Sequence, residues 1–566
     1  MGTPGHMQSL RLGRDDQHDY VFGNIVIADG GMLELDGNPK LGAGQGWPAV
    51  IHADSINVHS GGMISADSLG FIGAHASGPG YDGNKGATHG GRGGNDNRKP
   101  TYGSFTNCMN LGSGASSIGG GAICLVSAGK LVVNGILSAN AGWTTGTTYG
   151  GSGGSVNLIA PDLAGAGIIR ANGASSTSYS GGGGGRISFV QVATNRFAGL
   201  IEVLPGESHR NYASAYAGTI AFPEGADLVL GGEGNMQTLR LGSDDDNNYV
   251  FGDIVIHEGG LLEIDGNPMR ETFFGGAASV SATAINIHTG GLIRATAFGF
   301  GSSRAAPSNV VHSVGGAHGG AGGGAPLTYG SVVSPRNLGS GGGGTSTSGA
   351  RNGGGAIILK AVETLNIDGA IACCGSDAVG AQGSGAGGTV NLEAGQLSGG
   401  GTIRADAGAA TRNGGGGGRI ALRAATSTFA GTCSALGGAG SASYNGPGAA
   451  GTVYTDLNGV KRLLVDNDKV IEAKPTYTWL PALTNAPAGE LGDVALTVAN
   501  LGRVALTNSI VVGDLHLQGE ITSLFLNGHT LTVNSFYHRD WGDDALVDYA
   551  GGAIVWKHMG TIIMIR

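Results

Sequence analysis

Three groups of side chains in this sequence could carry chemistry by their types and spacing. The first is aromatic: Trp143 and Tyr149 share one Gly/Thr loop, and Tyr179 sits on the next. Such side chains join a broad apolar face to a polar tip, which suits stacking against sugar rings. The second is charged: Asp82, Lys85, Arg92, Asp96, Arg98 and Lys99 surround His89. With the aromatics they would line a glycan groove; as solvated charges on a loop that drifted after duplication they would line none. A hydrolase would need two carboxylates about 5–10 Å apart. A lyase would instead need a base near a uronate, and Asp82, Asp96, Lys85 and His89 are the first choices for either. The third group is acidic: Asp15-Asp16 with Asp19, and Asp244-Asp245-Asp246, each just before a Tyr-Val-Phe run. Clustered carboxylates offer hard oxygen ligands to calcium, although Asp-rich turns without an ion are ordinary. No cofactor is expected, calcium being the one these residues leave open, and the cysteine pattern gives no expectation of zinc.

Other chemistry is set aside by pattern. GGGGGRIS at 181–188 lacks the Lys-Ser/Thr ending of a phosphate loop, no H-E-x-x-H is present, and no nucleophile elbow can be read from a chain this rich in glycine without a fold. The cysteines, Cys108, Cys124, Cys373, Cys374 and Cys433, form no C-x-x-C pair and are expected to be buried free thiols. No catalytic residue is assigned.

Composition narrows the scaffold. Of 566 residues 114 are glycine, about 20% against a usual ~7%. No Gly-X-Y period runs through the chain, which excludes collagen. Hydrophobic residues still reach 40%, in short Val/Ile/Leu clusters, so the chain is not simply disordered. A net charge of −10 with 31 Lys+Arg argues against nucleic-acid binding. No apolar run is long enough for a membrane helix. Met1 is followed by neither a basic nor an apolar leader region, and GTPGHMQ at 2–8 answers GGEGNMQ at 231–237. A native start without a secretory signal is therefore expected.

The elements that must position these groups are written twice. Met7–Pro39 and Met236–Pro268 agree at 23 of 33 positions. The match continues in order: THGGRGG with AHGGAGG, LGSG with LGSG, GGGAICL with GGGAIIL, GGSVNL with GGTVNL, and GGGGGRISF with GGGGGRIAL. This predicts copy 1 at 1–230, copy 2 at 231–455, and a β-rich capping or assembly tail at 456–566, where glycine falls to 11 residues. Short alternating runs such as NIVIADGGMLELDG and KLVVNGILSANAG read as half-buried strands. Strands of one type, taken at Leu131, Val156 and Ile187, recur every 25–31 residues, which predicts a parallel β-helix, right-handed by the resemblance given below. The runs GGGGG (181–185) and GGAGGG (319–324) read either as flexible linkers or as stacked extended segments between successive arms. Residues kept in both copies point to the fold: Arg186 and Arg419 to cap carbonyls, His89 with His318 and Tyr102 with Tyr329 as packed anchors, Asp36 and Asp265 as turn residues.

The order HGG-x-GG, YGS, LGSG, GGGAI-x-L, GGS-V-x-L and GGGGGRI resembles the Gly-rich β-solenoid repeats of large phage and microbial surface proteins, over about residues 7–455. The polyglycine segments are similar to those of some phage receptor-binding tips. The resemblance implies a structural or receptor-binding virion component: a fibre, spike or capsid-surface protein. It also implies a homo-oligomer, with a trimer favoured, and a cell-surface polysaccharide as partner. Right-handed β-helices also include polysaccharide lyases, glycoside hydrolases and bacterial adhesins, so a polysaccharide-degrading enzyme and a surface or matrix module are the alternatives.

Overall fold

The computed structural model describes residues 1–566 apart from 2–7, 16–18, 73–77, 96, 143–148, 210–213, 273, 302–313, 326–327, 345–350, 379–381, 442, 469–475, 483–485, 520, 539–540, 542–544, 559–560 and 566. The chain is all-β, 42% strand and 1% helical. It forms two compact units, Met1–Asn267 with Val280–Ala282, and Pro268–Ser279 with Thr283–Arg566. Residues 231–267, which open the second sequence copy, pack with the first unit.

In the first unit the alternating runs stack as parallel ladders, three of which frame the candidate site. One passes through Ala49–Val58, Ala122–Ser127, Ser155–Ile159, Arg186–Val190 and Thr219–Ala221. A second passes from Ala49–Val58 through Lys130–Val133 and Asp162–Gly165 to Thr194–Phe197. The third joins Gln8–Gly13, Gly31–Asp36, Met63–Ser65, Ile136–Ser138, Ile168–Arg170 and Leu200–Glu202. Like sits over like: Leu33, Ile64, Leu137, Ile169 and Ile201 form one buried column. Each such side chain contributes roughly 1.5–3 kcal/mol over its exposed state.

The step between rungs is longer than the strand pattern suggests. Val156 pairs with Ile123 and Ile187, whereas Leu131 pairs with Leu163 on a different ladder. Bonds between successive rungs therefore span 31 residues at Ser188–Asn157, 32 at Asn172–Asn140 and 33 at Arg186–Thr219. Leu131 and Val156 share an alternating pattern but lie on separate ladders that meet at Ala49–Val58.

The second unit repeats the plan. Ala356–Ile367, Thr389–Ser398, Arg419–Ser427 and Thr452–Leu457 run parallel, beside Leu292–Arg294, Ala370–Ala372, Thr402–Arg404 and Thr432–Ser434. Val460–Asp466 then turns back antiparallel on Thr452–Leu457. From there the rungs shorten, and the Ser509 hydroxyl accepts the Thr530 N–H only 21 residues on. Among the described residues these rungs show no glycine arm, and their core is filled by side chains such as Leu463, Leu496, Leu515, Leu531 and Trp556. Of the five free cysteines, Cys108, Cys124 and Cys373 are buried, while Cys374 and Cys433 are half-buried.

Candidate functional site

The glycine run 181–185 sets the frame for the candidate site. It makes no hydrogen bond within itself: Gly182 and Gly185 donate to Ala174 and Ala171 at 3.0 and 2.8 Å, Gly183 to Ala87 at 2.9 Å, and Gly184 to Tyr216 at 3.1 Å. Donors three residues apart thus point to the same neighbour, the threefold period of an extended polyproline-II-type helix. Its carbonyls accept in turn from Gly94, Gly206, Gly153, Gly91 and Thr219. A Cβ on Gly183 would lie 2.0 Å from the Gly91 oxygen, and one on Gly184 2.0 Å from the Val203 oxygen. Neighbouring backbone fills the space where side chains would stand. The run 414–418 repeats this, with Gly416 donating to Gly316 at 2.8 Å and Gly417 to Ala449 at 2.9 Å. These runs are bonded structure rather than linker.

On the outer edge of these arms the sequence-predicted residues come together. The Gly86 N–H donates to the Ser180 hydroxyl at 2.9 Å and the Ala87 N–H to the Gly150 carbonyl at 2.9 Å. This brings Asp82 and Lys85 beside the bridge that joins Tyr149 to Ser180. The Tyr149 and Tyr179 rings lie 4.8 Å apart at 45°. Lys85 donates to Asp82 at 2.8 Å. Burial pushes the Asp82 carboxyl up, but the bond from Lys85, the Arg98 N–H and the nearby lysine charges outweigh it and hold the group below its ordinary value. All four side chains are half-buried. The backbone of His209 runs alongside, its main-chain N–H donating to the Tyr179 carbonyl at 2.6 Å. Sequence reasoning missed His209. The signal that finds it is the coil step, since it follows Tyr179 by one rung.

Trp143, Asp96 and Asp16 lie outside the described residues. His89 and Arg92 stand behind the edge rather than on it. His89 is fully buried against Tyr102, ring centroids 4.6 Å apart, with Nδ1 2.9 Å from the Gly153 oxygen. Burial, helped by the Arg186 charge, lowers its pKa to about 3, so it is a neutral packed ring. His318 repeats the arrangement on Tyr329 and Gly387, with a pKa of about 3. Arg92 is 4% exposed. It donates to Asp245 at 2.6 Å, to Asn267 at 3.2 Å and to the Asn97 and Lys99 carbonyls. Burial removes both side chains from a ligand-facing surface.

Arg92 also engages one of the acidic residues considered for calcium. Burial raises the Asp245 carboxyl, yet the Arg92 charge and bonds from Asn267, Arg92 and the Thr101 N–H bring it below its ordinary value. Asp244 accepts from Arg186 at 2.7 Å with one oxygen, and from the Asp246 and Asn247 N–H groups with the other. Guanidinium groups thus already occupy the positions a cation would take. In copy 1 Asp15 is exposed and Asp19 pairs with Arg14. Arg186 additionally bonds the Tyr102 carbonyl and Thr219, as expected of a carbonyl-capping arginine.

The arrangement as a whole offers two phenol rings, an ion pair and the Ser180 hydroxyl on a backbone that neighbouring arms hydrogen-bond. Such an edge can stack on and hydrogen-bond a polyhydroxylated ligand. No family model matches the chain, and neither the curated proteins nor the solved structures show a match to it.

Proposed function

We propose that the protein is a non-enzymatic display scaffold: a right-handed parallel β-helix whose glycine-bonded arms carry a glycan-contacting edge. In this reading it serves as a structural or receptor-binding component of a phage virion, a fibre, spike or capsid-surface protein. It would act as a homotrimer against cell-surface polysaccharide. The observation that carries the reading is the convergence of Tyr149 and Tyr179 beside the Asp82–Lys85 pair on one edge of the first unit. Asp82 is held ionised by Lys85, which suits recognition of hydroxyls better than proton transfer. Weak contacts of this kind gain strength when several copies engage one polymer.

The test is binding of the full chain to an immobilised panel of neutral and anionic polysaccharides, with product analysis alongside. Binding to at least one glycan is expected. Removing both rings in the double variant Tyr149→Ala/Tyr179→Ala should weaken it roughly tenfold or more. A folded protein that binds no member of the panel, or binds equally without the rings, overturns the reading. Release of reducing ends or unsaturated sugars would transfer the proposal to a polysaccharide-degrading enzyme.

A further inference from the structure

The tail holds a second cluster of chemistry-bearing groups, unrelated to the tyrosine edge. Strand Asp514–Gln518 alternates in burial, so Leu515 and Leu517 point into the core while Asp514 and His516 share the outer face. The segment after strand Thr530–Val533 brings His538 to the same face. His538 Nε2 stands 2.6 Å from Asp514 Oδ1, and His516 Nε2 stands 3.4 Å from Asp514 Oδ2. The two imidazoles stack at 5.2 Å and 30°. One donor atom from each of the three residues lies within 4.8 Å of the others.

We propose that Asp514, His516 and His538 form a binding site for a divalent transition-metal ion of the zinc class. Two donors on a tetrahedral zinc ion stand about 3.3 Å apart, given bond lengths of about 2.0–2.2 Å. The observed separations bracket that value, so side-chain torsions alone can bring the set around one ion. Two imidazoles and one carboxylate favour zinc or its neighbours over calcium or magnesium, which take oxygen.

The surroundings hold the donors in place, as outer-shell partners of metal ligands do. The Ser535 hydroxyl donates to Asp514 Oδ1 at 2.6 Å and the Leu515 N–H to the same oxygen at 2.9 Å. The buried Trp556 ring packs edge-on against His538 at 5.1 Å. Three protein ligands leave a fourth position for water or a solute donor. An ion here would staple the 534–538 segment to strand Asp514–Gln518, reinforcing the last rungs, where no glycine arm supplies cross-bonding.

Zinc titration into the chelator-treated full chain tests the site, with cobalt absorbance as a variant-free record of coordination. One equivalent of zinc is expected, and cobalt should give the intense visible bands of a four-coordinate ion. His516→Ala and His538→Ala should each weaken binding at least about 100-fold, and Ser535→Ala about 10–100-fold. His529→Ala, an imidazole of the same region outside the cluster, should bind as the parent does. The proposal is overturned if the folded parent takes up no zinc, if cobalt shows only a six-coordinate aqua-like spectrum, or if the double variant His516→Ala/His538→Ala retains the parent affinity. Circular dichroism of the metal-free variants separates lost ligands from lost fold.

Discussion

Arg186 and Arg419 hold the same place in the two copies and bond matching tyrosine carbonyls and threonine hydroxyls, but they differ in a carboxylate partner. Arg186 reaches Asp244 at 2.7 Å in a buried ion pair. Arg419 bonds the Tyr329 carbonyl and Thr452, yet its second terminal nitrogen has no hydrogen-bond partner. Burial lowers its pKa to about 10, against the smaller opposing effects of Glu490 and Tyr329. Removing one partner of a buried pair leaves an uncompensated charge, so Asp244→Ala should cost about 3–5 kcal/mol by urea denaturation. By the same logic Arg419→Met should cost less than Arg186→Met. The buried histidines make a second prediction. Folded His89 titrates at about 3 and the unfolded ring near the ordinary ~6.5. The unfolded chain thus binds more protons between those values, and stability falls as pH drops through that window. Each such histidine adds about 1.4 kcal/mol per pH unit to the slope once pH is well below 6.5. Denaturation at several acidic pH values should show a shallower slope for His89→Gln by about that amount.

The glycine run is the element on which the arms depend, and its amides report its state. Strand-like protection of Gly182–Gly185 in hydrogen exchange is expected from their bonds to Ala174, Ala87, Tyr216 and Ala171; fast exchange would restore the linker reading. Gly416→Ala would place a methyl 2.0 Å from the Gly320 oxygen, whereas a methyl on Gly400 meets nothing within 4 Å. The first should cost at least about 3 kcal/mol and the second little, by thermal unfolding of the two variants. Much of this was legible in the sequence: the alternating runs became strands, and the matched positions of Arg186 and Arg419 marked fold-keeping residues. The rung step was not, because Leu131 and Val156 show the same alternation while standing on different ladders. Nor could the sequence pair Arg92 with Asp245, 153 residues apart, since only the stacked arms bring them together. Convergence of Asp82, Lys85, Tyr149 and Tyr179 was half-legible, because loops on neighbouring coils share an edge once the coil is granted.

For the molecule as a whole, the tail decides how the stacked ladders end. Thr452–Leu457 is covered by Val460–Asp466, and the last rungs share one apolar core that continues to Val332, Ala421 and Ala450. A chain ending at residue 457 would bare that strand's hydrogen-bonding edge, and bare edges recruit other chains. Light scattering of such a truncation should show self-association at concentrations where the full chain shows none beyond its own assembly. The change in glycine content foretold a distinct tail, but Asp514, His516 and His538 gave no sequence signal because short rungs, not local spacing, gather them. The packed glycine arms have a last consequence for how this gene can change. Every missense change at the first or second codon position replaces glycine with a larger residue, and in the 181–185 run the space it would need already holds a carbonyl oxygen. Inheritable variation is therefore steered away from the arms and toward their tips, where new binding preferences can arise without disturbing the frame.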